Sequence, residues 1–377
     1  MAHAFWQNTP ASNGRNRRVR LICPICLHDI RNWSTLPLAM LTDDGQEISL
    51  VRGPAEGAES WAQRLATAYR RCPGGDAGEP HFLPQAYGEY RRVVVGVIGA
   101  SQAGKTHLLA AMIGHLLRSE ARLRRIGLQV DPLDLRIHQR YMKQIVEPFL
   151  AHRRGLPATP REAIEFTDAL KITNLRAGVR HAVSFFDVAG EMLERADDSA
   201  RFLGAVDALL FVVDPTAIPR MTRRDVSTIS DNAFDHVLSR LAGRPGAHGE
   251  FLPFPAAVVV AKADMLEFGA EPLPGYWLRR DRQEADEELD LSSVEGESSD
   301  AFAFLAGRRA EAWLRPAMRC YRSTLHFASA TNSALSGDRY PELAFRQRRV
   351  LKPLLSLLAM ADVLDHRLLR PGDDDAG

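Results

Sequence analysis

The stretch RRVVVGVIGASQAGKTHLLAAMIGHLL, residues 91–117, constrains this chain more than any other. Its first part, Val93 to Ile98, is β-branched at every position but Gly96 and shows no polar alternation. Such a run predicts a strand covered on both faces, as in a parallel sheet flanked by helices. Its last part sets Leu108, Leu109, Met112, Ile113, Leu116 and Leu117 at helical spacing. Between the two stand Gly99, Gly104, Lys105 and Thr106, spaced G-x-x-x-x-G-K-T, after a strand and opening a helix.

That spacing suits phosphate. Glycines let successive backbone N–H groups turn inward, so the amides of Gly99, Ala100, Ser101, Gln102, Ala103 and Gly104 can wrap an anion. The helix N-terminus that follows, where Thr106 and His107 sit, adds partial positive charge. Lys105 supplies a point charge for β- and γ-phosphates, and the Thr106 hydroxyl is a hard oxygen donor for Mg²⁺. The rival reading is a glycine-rich turn with an incidental lysine. With all four positions and both flanks in place, the stretch reads as a P-loop.

Further strands are expected at ALKITNL and AVSFFDV, as an antiparallel pair, and at DALLFVVD, AAVVVA and TLHFAS. Helices are expected near 225–241, near 301–318 and at PLLSLLAMADVL, where Pro353 suits a first turn. Strands alternating with helices predict a doubly wound, mostly parallel α/β sheet of the P-loop NTPase kind. The expected organisation is a small cysteine-containing module over 1–90, then the nucleotide domain over 91–365. Inserts fall at about 127–168 and 279–300, and a disordered tail at 366–377. The first insert looks partly helical at RYMKQIVEPFL. The second contains DRQEADEELDLSSVEGESSD, acidic and poor in aromatics, which reads as a mobile loop.

Three later stretches bear on the nucleotide. FFDVAGE places Asp187 at a strand end with Gly190 three residues on. The carboxylate can hold Mg²⁺ through water, and the glycine N–H can reach a γ-phosphate and swing away after hydrolysis. Glu191 follows, where small GTPases often place a water-orienting glutamine; a charge favoured by a helix dipole is the alternative. VVVAKAD puts Lys262 and Asp264 after a strand. It resembles the [NT]-K-x-D guanine motif, whose aspartate accepts both guanine N–H groups, although Ala261 stands where Asn or Thr is usual. Ser329-Ala330 resembles the loop whose backbone N–H contacts guanine O6.

The order of these motifs makes residues 92–360 resemble the TRAFAC-type GTPase domain. More narrowly, HFLPQAYGEYRRVVVGVIGASQAGKTHLL after a cysteine-rich module resembles the bacterial double-GTPase families. That resemblance implies GTP/GDP and Mg²⁺ as ligands and a place in conflict or signalling systems, with a protein partner reading the switch loops. A switch threonine is needed before the second strand, and Thr159 and Thr167 both qualify by position. Arg153, Arg154 and Arg161 lie near, yet no arginine finger can be picked from sequence, so slow intrinsic turnover is expected. Two other readings stay open. Ala261 favours an ATPase, which Asp264 opposes, and a scaffold that binds nucleotide without turnover is the third.

Four cysteines, two of them in Cys23-Pro-Ile-Cys26, fit a reduced compartment and a metal site better than a disulfide framework. Cys72 and His81 form a possible second pair for tetrahedral Zn²⁺, with His28 a rival ligand. Buried thiols without metal are the plain alternative, and Cys320 reads as a core thiol. The opening residues lack signal-peptide order, and no apolar run nears the roughly 20 residues of a membrane span, so a cytoplasmic protein is expected. A net charge of +1 argues against a nucleic-acid partner without excluding one.

Overall fold

A computed structural model describes residues 21–42, 46–74, 80–157, 164–189, 196–217, 232–243, 251–269, 271–280 and 289–369. The N-terminal part is made of short pieces. β1 (Leu21–Ile22) and β2 (Asp29–Ile30) pair around the Cys23–Cys26 turn. A four-stranded sheet follows from β3 (Leu38–Leu41), β4 (Glu47–Ser49), β5 (Tyr69–Arg71) and β6 (Phe82–Pro84), with α1 (Ala58–Ala66) before β5. So little apolar surface cannot make an independent core. Instead Cys23, Ile30, Cys72, Leu83 and Tyr87 pack onto Leu133, Ala169 and Ala182 of the main domain, and the Tyr87 hydroxyl donates to the Ile22 carbonyl.

The main domain begins with β7 (Arg91–Gly99), α2 (Lys105–Arg118), α3 (Glu120–Arg125) and β8 (Leu128–Pro132). Then come α4 (Leu135–Tyr141), a π-helical segment Met142–Val146 and α5 (Glu147–Leu150), followed by β9 (Ile164–Asn174) and β10 (Val179–Ala189). α6 (Ala196–Ala205), β11 (Ala208–Val213), α7 (Asn232–Ala242), β12 (Leu252–Val260), α8 (Pro272–Arg280), α9 (Val294–Gly307), α10 (Glu311–Arg319), β13 (Cys320–Phe327) and α11 (Leu351–Met360) complete it. Seven strands form one sheet in the order β13-β12-β11-β7-β10-β9-β8. The first five are parallel, while β9 and β8 run antiparallel to their neighbours.

The sheet is buried on both faces, as the valine run predicts. Val93, Val95 and Val97 point into a core with α2 and α11. Val94 and Ile98 point into the other, with α7, α9 and α10. The glycine loop between β7 and α2 thus leaves the middle of the sheet at its C-terminal edge, where ligands of open α/β sheets bind.

Three local expectations are corrected. The helix expected near 301–318 is two helices, α9 and α10, broken where Arg309 takes φ +56°. The acidic stretch over 281–300 is not a loop throughout, because α9 starts at Val294 and Glu297 is fully buried. That carboxylate is compensated by His326 and Arg349, which lie far along the chain. The edge strand β8 was not anticipated within the 127–168 insert; the helical expectation there corresponds to α4, the π segment and α5. Residues 225–231 and 370–377 lie outside the described residues.

Candidate functional site

Backbone geometry makes the loop. Gly104 takes φ +92°, a left-handed conformation that strains other residues. At Gly99 a Cβ would lie 2.6 Å from the Val212 carbonyl oxygen of neighbouring β11, so a side chain has no room. Lys105 is buried, and its Nζ donates to the carbonyls of Gly99 at 3.0 Å and Ala100 at 3.1 Å. The Thr106 hydroxyl donates to Asp187 Oδ2 at 2.7 Å. Asp187 reaches it because β10 lies parallel beside β7, with Asp187 opposite Val97.

The segments that follow β12 and β13 converge on the same loop. Lys262 takes φ +49° and bridges two elements, donating to the Gln102 carbonyl at 2.8 Å and to Asp214 Oδ2 at 2.7 Å. Burial would raise the Asp214 carboxyl, but hydrogen bonds from Lys262 and Thr216 outweigh it and hold the group below its ordinary value. Ser329 Oγ donates to Asp264 Oδ1 at 2.5 Å and accepts the Asn332 N–H at 2.8 Å. Ala261 has no side chain to tie this segment to the glycine loop; Lys262 makes such a tie through Gln102.

These parts surround a cavity of about 530 Å³ lined by Ser101, Gln102, Gly104 to Leu108, Ala261, Lys262, Asp264 and Ala330, among others. Its far wall is an arm at 153–157 that pairs with the turn at 336–340. Tyr340 N–H donates to the Arg153 carbonyl at 2.8 Å and Gly155 N–H to that of Asp338 at 2.9 Å. His107 ties the arm to α2, since its Nε2 lies 3.2 Å from the Leu156 N–H and 3.1 Å from the Tyr340 hydroxyl. Burial, and then the Lys262 cation, push His107 down to about 4, leaving a neutral imidazole whose Nε2 can accept the Leu156 N–H. Leu156, Pro157, Leu335 and Tyr340 of this wall carry no motif and were not anticipated. Nor was Asp214, whose signal was its place at the end of DALLFVVD.

A strand–glycine loop–helix turn, with Asp187 bonded to Thr106 and the Lys262–Asp264 segment at the other end of the cavity, narrows the possible families. The profile of the Double-GTPase 2 family matches residues 93–304, more than half of the 377. The chain belongs to this family. No curated protein matches it. Among solved structures, a bacterial selenocysteine-specific elongation factor, EF-Sec, is similar at 14% identity and TM-score 0.25, over 64% of this chain and 26% of that one. The S. cerevisiae Ski7 GTPase-like domain bound to GTP is similar at 10% identity and TM-score 0.31, over 76% and 52%. The chain thus spans about a quarter and about half of those two. Membership of a Double-GTPase family supports GTP binding.

In this Double-GTPase 2 member Thr106 and Asp187 fit Mg²⁺, since a hydroxyl and a carboxylate, the hard oxygen donors the ion takes, meet there at 2.7 Å. A second cavity of about 600 Å³ opens beyond them. It is lined by Thr106, Pro157, Glu165, Thr167 and Asp187, by Arg136, Arg140 and Gln144 of the insert, and by His81 and Ile25 of the N-terminal module. Burial, and then Asp187, raise the Glu165 carboxyl. Of the two candidates for the switch threonine, Thr167 lines this cavity, whereas Thr159 lies outside the described residues, as do Arg161, Gly190 and Glu191.

The N-terminal module gathers Cys23, Cys26, Cys72 and His81, whose ligand atoms all lie within 4.8 Å of one another. Cys23 Sγ is 3.2 Å from His81 Nε2, and the Cys26 and Cys72 sulfurs are 3.7 Å apart. Four donors at roughly 2.0–2.3 Å from one centre sit at about such separations, so the set fits tetrahedral zinc. Backbone N–H groups of Ile25 and Gly74 point at the Cys23 and Cys72 sulfurs, both at 3.4 Å, as donors that favour thiolates. Hydrogen bonds from Cys23, then Cys72, hold the Cys26 thiol far below its ordinary value. His28, the rival, is not part of the cluster. Cys320 is buried, and burial raises its thiol to about 12, as suits an inert core residue. Among the described residues no helix is long and apolar enough to cross a membrane.

Proposed function

We propose that this chain is a Mg²⁺-dependent switch that binds GTP and hydrolyses it slowly. The observation that carries the reading is the single cavity onto which Lys105, Thr106, Lys262 and Asp264 all open, with Asp187 hydrogen-bonded to Thr106 and Ser329 to Asp264. The loop amides and Lys105 hold the β- and γ-phosphates. Thr106 and Asp187 hold Mg²⁺, with Thr159 or Thr167 completing the set in the triphosphate state. The ion, when bound, neutralises charge between the β- and γ-phosphates. Gly190 senses the γ-phosphate and Glu191 orients water. Asp264 accepts the two guanine donors, Lys262 covers the base, and Ser329 and Ala330 line its O6 edge.

The Cys23–Cys26–Cys72–His81 set holds a structural zinc that staples a module with little core of its own. A protein partner reads the loops around Asp187, and the family resemblance points to a bacterial conflict or signalling system in the cytoplasm. Ala261 favours an ATPase as second reading. The Asp264–Ser329 pair opposes it, because adenine offers no matching pair of donors.

The test is a side-by-side titration with labelled GTP, GDP, ATP and ADP in Mg²⁺, with Lys105→Ala as blank, followed by phosphate release. Guanine preference with slow turnover is expected. Equal or tighter ATP binding would overturn the guanine assignment, and binding without phosphate release would leave the scaffold reading.

A further inference from the structure

The segments that follow β12 and β13 meet in a closed ring of hydrogen bonds. Ser329 Oγ donates to Asp264 Oδ1 at 2.5 Å and accepts the Asn332 N–H at 2.8 Å. Asn332 Oδ1 accepts from Arg348 Nη1 at 2.8 Å. Arg348 holds Glu267 with both ends of its fork, Nη1 donating to Oε2 at 2.5 Å and Nη2 to Oε1 at 3.2 Å. The Glu267 N–H closes the ring, donating to the Asp264 carbonyl at 3.2 Å. Of these five residues Asp264 alone lines the first cavity. We propose that Arg348 and Glu267 are positioning residues for guanine, holding the Asp264 carboxylate at the angle from which it accepts two donors of the base. This rests on the guanine reading above.

Several observations single out this pair. Arg348 and Glu267 are 1% and 6% exposed and stand 81 positions apart in the chain. Arg348 is fastened to the β13 side twice. Besides its bond to Asn332, its N–H donates to the Ser329 carbonyl at 2.8 Å, and its carbonyl accepts the Ser329 N–H at 3.0 Å. Glu267 follows directly on the short turn Ala263–Leu266 that carries Asp264. That turn is therefore held at both ends. Lys262, just before it, donates to the Gln102 carbonyl of the glycine loop at 2.8 Å, and Glu267, just after it, is held by Arg348.

A buried arginine–carboxylate pair is a poor source of stability, because lost hydration offsets much of its attraction. What a two-bonded fork supplies is geometry, since it fixes an angle as well as a distance. Asp264 is the group that needs it. Guanine offers N1–H and its 2-amino group side by side, and a carboxylate turned away from that line keeps one of the two bonds at best. The rival reading is a clamp that fastens two loops and nothing more. Its loss would weaken every ligand of the cavity alike.

The experiment titrates the full chain in Mg²⁺ with GTP, with inosine triphosphate, which keeps N1–H and lacks the 2-amino group, and with inorganic tripolyphosphate. Parent, Glu267→Gln, Arg348→Lys and Arg348→Met are compared. The parent is expected to prefer GTP to inosine triphosphate by on the order of tenfold, the worth of one charge-assisted hydrogen bond. In the variants that ratio is expected to shrink to within about threefold, with tripolyphosphate affinity within about twofold of the parent. Arg348→Lys keeps the charge without the fork, so it should restore little of the ratio. Glu267→Gln preserves side-chain shape and decides the matter where Arg348→Met does not fold. An unchanged ratio in every folded variant overturns the proposal. So does an equal loss of all three ligands that follows a fall in melting temperature, since that describes the plain clamp. A parent that binds GTP no better than ATP removes the guanine reading itself, and the role of the pair with it.

Discussion

The hydroxyl of Ser329 donates to Asp264 Oδ1 at 2.5 Å, across the gap between the loops that end β13 and β12. It fixes one carboxylate oxygen and orients the other edge of the group toward the cavity that Asp264 lines. Guanine presents two donors, N1–H and the 2-amino group, to such an edge. Asp264→Asn replaces an acceptor by a donor and is expected to weaken GTP by about 100-fold, on the order of two charge-assisted hydrogen bonds partly lost. Xanthine carries a 2-oxo group that accepts from an amide, so XTP is expected to bind the variant more tightly than the parent does. Ser329→Ala, which loses the orienting bond alone, should cost about tenfold. Titration with GTP and XTP checks all three; unchanged GTP affinity in Asp264→Asn sinks the base assignment.

How much of this was legible can be argued from particular residues. β7 was readable because every valine of its run and Ile98 face one core or the other, so no polar position blurs the pattern. The glycine loop was readable because its φ of +92° at Gly104 and the close approach at Gly99 demand glycine. The arm at 153–157 was not, since backbone groups hold it to 336–340 and backbone pairing leaves little trace in side chains. Glu297 misled for a different reason. A glutamate in an acidic run reads as solvated, and its partners His326 and Arg349 are brought by β13 and the residues ahead of α11. The wall of the second cavity was hidden likewise, because helical spacing says which residues share a face but not what the face meets.

The cysteine cluster predicts a metal. Protein purified without chelators is expected to carry an equivalent of zinc, and Cys72→Ser to lower zinc affinity by more than about 100-fold. Because Cys23 and Cys72 also pack against Leu133, Ala169 and Ala182, loss of metal should loosen the module at that seam. Elemental analysis and limited proteolysis read the two effects. Metal-free protein with an undisturbed proteolysis pattern would argue for plain buried thiols.

Glu297 predicts a stability effect away from the cavity. It is fully buried, accepts the Phe327 N–H at 3.0 Å, and lies 2.9 Å from both His326 Nδ1 and Arg349 Nη2. Burial alone would raise its carboxyl, but Arg349 and His326 outweigh that and hold it well below the ordinary value. Glu297→Ala leaves Arg349 buried without this counter-charge and is expected to cost about 3–5 kcal/mol. Urea unfolding measures it. A loss under about 1 kcal/mol would mean the network is nearly neutral in net energy.

The histidines predict how stability depends on pH. Burial, and then Lys262, lower His107 to about 4; burial, and then Arg91, lower His181 to about 4; burial lowers His326 as well. In the unfolded chain these groups titrate near 6.5. Below that pH the unfolded state binds more protons than the folded one, so stability falls as pH falls. The window runs from about 6.5, where the unfolded histidines begin to charge, to about 4, where His107 and His181 follow in the folded state. Melting temperature should drop steadily between pH 6.5 and 4.5. His107→Gln keeps an acceptor near the Leu156 N–H and the Tyr340 hydroxyl but cannot take up a proton, so its melting temperature should fall less over that window. A slope equal to the parent's would show that His107 is not held neutral in the folded chain.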